Sequence, residues 1–101
     1  MKNFERLKMI EDCTIDHYTW FPILIDLNNR LQRIDPDYRL ISVKEKFGEL
    51  RFRYQTEYYL RPSMDKWVAL AEEQCWNATE QSRLFDRVAP KPSLPYEGFK
   101  W

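Results

Sequence analysis

KEKFGELRFRY, residues 44–54, carries six charges around a single glycine. Leu50, Phe52 and Tyr54 alternate there with Glu49, Arg51 and Arg53, the period of two that a β-strand imposes on its side chains. Upstream, Ile41 and Val43 continue the apolar set, and Lys44 and Lys46 continue the charged one. A short loop around Phe47-Gly48 pairs position 43 with 52 and 41 with 54, which stacks the apolar side chains on one face. The result is a hairpin with one oily and one ionic side. A sheet covered by helices on a single face must alternate in this way, so the charge is first of all a solvated face. Opposite charges at Lys46 and Glu49 support the same pairing.

Two strands alone are marginal in water, so helices have to cover the oily side. Three segments have helical spacing. Phe4, Leu7 and Ile10 mark a short helix over residues 3–12, with Glu5, Arg6, Lys8 and Glu11 on its wet side. Leu24, Leu27, Leu31 and Ile34 mark a second, with Thr19 as N-cap, Pro22 in the first turn and Asp35-Pro36-Asp37 as the stop. Met64, Trp67, Val68, Ala71, Cys75 and Ala78 mark a third, running to about residue 85, with Ser63 as N-cap, Asp65 in the first turn and Trp76 off the apolar stripe. The fold class is therefore α+β, in the order α-α-β-β-α. The hairpin is expected to be packed by the second and third helices in one domain over residues 1–89. The Pro-rich segment PKPSLPYEGFKW, residues 90–101, is expected to be an irregular tail docked on that domain.

Sixteen basic and sixteen acidic residues give no net charge, which argues against a general basic field for coating nucleic acid or anionic lipid. The N-terminal MKNFERLKMIED has no apolar core of signal-peptide type, and YTWFPILI, residues 18–25, is too short to span a bilayer. The expectation is a soluble protein of the cytoplasm with no membrane contact. Cys13 and Cys75 then read as two buried thiols rather than a disulfide. His17 is the only histidine, and no ligand spacing for a metal or glycine-rich loop for a phosphate is present, so neither metal nor cofactor is expected.

The run SVKEKFGELRFRY, taken with WFPILIDLNNRLQRIDPDYRL before it and ALAEEQC after it, resembles a family of short phage and prophage proteins with a V-K-E-K-F-G-G-L-R-F core. The resemblance covers about two thirds of the chain and implies an origin in a mobile genetic element. Two departures stand out. Glu49 replaces the second glycine of the core, and ATEQS, with Thr79 and Ser82, stands where many relatives carry a C-x-x-C. Neutral hydroxyls do not replace thiolates on zinc, so a metal lobe is not expected here.

Catalysis finds little footing. Cys13 and His17 lie four residues apart, but no motif marks either as a nucleophile or base, and Asp12, Asp16, Asp35 and Asp37 sit where caps and turns use carboxylates. Binding is the expectation: a small phage-type, non-catalytic protein that inhibits or modulates a host protein, with a bacterial defence factor such as an RNA-guided nuclease complex as the natural target, in the manner of an anti-CRISPR. The partner is then a host protein or ribonucleoprotein in the bacterial cytoplasm. The candidate anchors are Tyr58, Tyr59, Trp76, Tyr96 and Trp101, ringed by charge. The same surface would serve a homodimer. The alternative is a single-stranded nucleic-acid-binding module that uses Lys44, Lys46, Arg51 and Arg53, with Tyr58, Tyr59 and Arg61 beyond them. Glu45 and Glu49 in the same hairpin count against that alternative.

Overall fold

The computed structural model describes residues 1–88, with side-chain surroundings through residue 80. Helix α1 (Asn3–Cys13) is followed by a 3₁₀ turn (Tyr18–Trp20), helix α2 (Phe21–Ile34), strands β1 (Arg39–Lys46) and β2 (Glu49–Gln55), and helix α3 (Arg61–Val88). The fold is α+β with the expected α-α-β-β-α order. The expected docked tail, with Tyr96 and Trp101, lies outside the described residues.

The strands form an antiparallel hairpin in which Val43 faces Phe52, as the alternation requires. Phe47 and Gly48 make its two-residue turn, at φ 57° and 83°. A two-residue turn whose central residues both have positive φ matches the right-handed strand twist, and glycine supplies one of them at no steric cost. Phe47 holds the same left-handed region against its own Cβ. The second expected pair, 41 with 54, is displaced. Leu40 faces Tyr54, Ser42 faces Arg53, and Ile41 is the extra residue of a β-bulge between them. Leu40 is therefore buried in the place expected for Ile41, which is 46% exposed.

The helix layer also differs from expectation. α1 lies along β1 and α3 along β2, while the backbone of α2 meets α1, the 3₁₀ turn and α3 rather than the strands. Its Leu24, Leu27 and Leu31 complete one core with Ile10, Trp20, Leu50, Phe52 and Met64. In α1 the buried face is rotated: Ile10 is buried, Phe4 is 65% exposed, and Arg6, expected on the wet side, is only 1% exposed. The helix starts shift too. Thr19 sits inside the 3₁₀ turn, so it does not cap α2, and α3 begins at Arg61, two residues before Ser63, with Pro22 and Pro62 both in first turns. A first-turn proline lacks only an N–H that has no helical partner there anyway.

Polar groups fasten the layers together. The Arg6 Nε donates to the Tyr38 carbonyl at 3.0 Å, and its Nη2 donates to the Pro36 carbonyl at 2.8 Å and the Tyr38 carbonyl at 2.6 Å. Its Cζ lies 4.1 Å from the Tyr38 ring centroid. The Tyr38 hydroxyl donates to buried Asn28 at 2.6 Å, whose amide donates to Asn3 at 2.8 Å. On the far side, the Trp20 indole donates to the Cys75 carbonyl and the Thr79 hydroxyl, both at 3.1 Å. The Thr79 hydroxyl donates in turn to the Cys75 carbonyl at 3.0 Å, which closes the link between the 3₁₀ turn and α3.

Candidate functional site

Because Val43, Leu50, Phe52 and Tyr54 turn inward, the opposite side of the ribbon presents Lys44, Lys46, Glu49, Arg51 and Arg53 to solvent. The bulge at Ile41 reverses the alternation below it, so Arg39, across from Gln55, joins this outer face. Sequence periodicity missed Arg39, since an unbroken period of two puts it inward with Ile41 and Val43. No local signal marks the extra residue.

Glu45 does not belong to this face. It is paired with buried Leu50 and so shares the inner side, where its carboxylate accepts the Gly48 N–H at 2.7 Å and lies 3.7 Å from His17 Nε2. Glu49 remains outside, engaged with Arg51 at 3.0 Å. Arg39, Lys44, Lys46 and Arg53 have no carboxylate partner among the described residues. Lys44 stands directly across from Arg51, an arrangement of like charges that destabilises a strand pair. The acid expected to dilute the basic stripe is thus half removed, and a cation is added.

Exposed rings flank the ribbon at both ends. Phe47 at the tip is 81% exposed, with the Lys46 ammonium 5.9 Å from its centroid. Past the end of β2, Tyr58 and Tyr59 are 86% and 66% exposed and meet edge to face. Phe47 was read from sequence as a turn residue alone, because hairpin loops are recognised by their glycine and not by what they display. Trp76 is placed apart, in a cleft of about 480 Å³ between β2 and α3 with Glu49, Arg51, Glu72 and Glu73. Burial, opposed by Arg51 and reinforced by Glu49 and Asp65, pushes the Glu72 carboxyl above its usual range.

Burial and then the Glu45 carboxylate push the Cys13 thiol up, the reverse of what thiolate attack needs. His17 stacks on Trp20 at 5.1 Å between centroids. Both cysteines are free thiols, Cys75 buried and Cys13 half-buried. Among the described residues no group of three His, Cys, Asp or Glu side chains is placed to hold a metal ion, and no helix is long and apolar enough to cross a membrane. Compared with protein-family models, curated proteins and solved structures, the chain gives no match.

Proposed function

We propose that the protein acts by binding: a small phage-type factor that sets the outer face of its hairpin against an anionic element of a host component and thereby inhibits or modulates it. The observation that carries this reading is the separation of charge within the ribbon. Five cations face outward with a single carboxylate, Glu49, which engages Arg51; the other four cations have no carboxylate partner among the described residues, while Glu45 is turned to the other side and held there. In a chain of zero net charge, such a face is a local device rather than a general field. The resemblance to phage and prophage proteins supports a host target, and an RNA-guided defence complex offers exposed RNA as its anionic element.

The test is affinity capture from the host bacterium with the unmodified protein and a Lys44→Glu/Arg53→Glu variant. Partners held by the outer face disappear with the charge reversal while the far-UV spectrum is unchanged. The same partners recovered by both proteins would exclude this face.

A second reading, docking on a host protein through apolar contact, is favoured by a groove of about 350 Å³ between α1 and α2 that is lined by Phe4, Leu7, Phe21 and Ile25. It predicts that the captured partners survive Lys44→Glu/Arg53→Glu and are lost with Phe4→Ser/Phe21→Ser.

A further inference from the structure

Taking the outer face as the binding surface, we infer that its ligand is a single strand of nucleic acid, with phosphates along Lys44, Lys46, Arg51 and Arg53 and bases stacked on Phe47 at one end and Tyr58 and Tyr59 at the other. This inference rests on the binding role proposed above and names its chemistry.

Charge points to a polyanion, and the rings decide which one. An acidic peptide would satisfy the cations but has no use for flat, open side chains at both ends of the ribbon. A duplex would bring phosphates too, with its bases stacked on each other and closed to the rings. Only a single strand offers both a charged backbone and free π-faces, and base–ring stacking of this kind is tolerant of sequence. The conformation of Phe47 is a separate observation in the same direction. At φ 57° and 81% exposed, the ring is held in a backbone region that disfavours bulky side chains, and it buries almost nothing in return. Glycine or asparagine would make the same turn with less strain. Strain kept at an exposed site is a mark of use there. Lys44 and Arg51 stand opposite each other as like charges, so a phosphate between them would serve both, in competition at Arg51 with the Glu49 carboxylate 3.0 Å away. The seven residues of β2 span roughly 24 Å at ~3.4 Å each, room for a short strand to follow the ribbon from tip to base.

The experiment is fluorescence anisotropy at low salt with a labelled oligothymidylate of about 12 nucleotides, within the ~4–16 that one single-strand-binding domain covers. The same oligonucleotide annealed to its complement, an RNA of equal length and an oligoglutamate peptide complete the set. The single strands are expected to bind at least tenfold tighter than the duplex. The logarithm of affinity should fall with the logarithm of salt with a slope of about −3, as ~0.7 per phosphate and about four contacts require. Lys44→Glu/Arg53→Glu should abolish binding. Phe47→Asn and Tyr58→Ala should each weaken it about 5- to 150-fold, the range of one base–ring stack.

Phe47→Asn relieves the strained turn, so a loss of binding in that variant cannot be put down to unfolding. Duplex bound as tightly as single strand, or ring variants that bind like the parent, overturns the inference. Binding of oligoglutamate with no binding of nucleic acid overturns it as well and leaves the anionic-partner reading standing. No binding to any polyanion overturns both.

Discussion

Replacing Arg6 tests the least expected feature of the core. Its guanidinium is buried without a carboxylate among the described residues, so its worth lies in hydrogen bonds to carbonyl oxygens and in the Tyr38 ring beneath it. Arg6→Ala leaves the Pro36 and Tyr38 carbonyls without their donor. A buried polar group left unsatisfied costs about 1–3 kcal/mol. Loss of the cation–π contact and of the packed stem adds to this, while the desolvation penalty of the charge, several kcal/mol, is lifted. Two orphaned carbonyls, the lost ring contact and the lost packing, less the lifted desolvation, leave a destabilisation of about 3–5 kcal/mol. At ~4–5 °C per kcal/mol for a domain near this size, the melting temperature drops by about 12–25 °C. Arg6→Met fills the space but donates nothing, and should fall about 2–4 kcal/mol below the parent. Urea unfolding at neutral pH, followed by fluorescence of buried Trp20 and by far-UV circular dichroism, measures both variants. An Arg6→Met protein as stable as the parent would refute the reasoning, because it would mean that dehydrating the guanidinium outweighs everything it bonds to.

Three further outcomes follow from the same kind of accounting. Phe47→Asn should raise the urea midpoint, by about 0.5–1 kcal/mol in stability, because asparagine accepts the left-handed region that Phe47 resists; a lower midpoint contradicts the strain argument. Trp20→Phe removes the indole donor to Cys75 and Thr79 and should cost about 1–2 kcal/mol. Thr79→Val should cost less, since the Cys75 carbonyl keeps the indole, and the reverse order in chemical unfolding would invert these roles. Stability should also fall in alkali. Burial pushes Cys75 up from 9.0 to about 12 and raises Cys13 as well, and it lifts Tyr38 and Tyr54 above their usual 10.0. Groups whose folded-state pKa lies above the unfolded value contribute stability that is complete below the unfolded value and is lost as pH rises past it. The melting temperature should therefore decline from about pH 9, and Cys13→Ala/Cys75→Ala should move the onset to about 10; an unmoved onset assigns the decline to other groups.

What could be read from the sequence was whatever depends on spacing. The Leu24–Leu27–Leu31 face, the Met64–Val68–Ala71–Cys75 face and the Val43–Phe52 pairing all follow from a local period, and each is in place. What escaped depends on partners far along the chain. Arg6 looks like a surface residue in any window around it, because the carbonyls that hold it lie 30 and 32 residues away. Ile41 and Leu40 are equally oily, and which of them enters the core is settled by where Tyr54 and α1 sit. The site was legible to the same extent. Lys44, Lys46, Arg51 and Arg53 fell on one face by period alone, and the same period sets Glu45 on the other, whereas Arg39 needed the bulge.

The bulge at Ile41 also shapes what can lie on the ribbon. An extra residue in one strand bends it and sharpens the local right-handed coiling, and a two-stranded ribbon already coils more than a wide sheet. Arg39 at the base and Lys46 near the tip therefore point along different directions instead of forming a level row. A stiff, straight ligand would touch one end and lift off the other. A chain that bends at every link can follow the saddle from end to end, so on the proposed binding face curvature, as much as charge, would select the ligand.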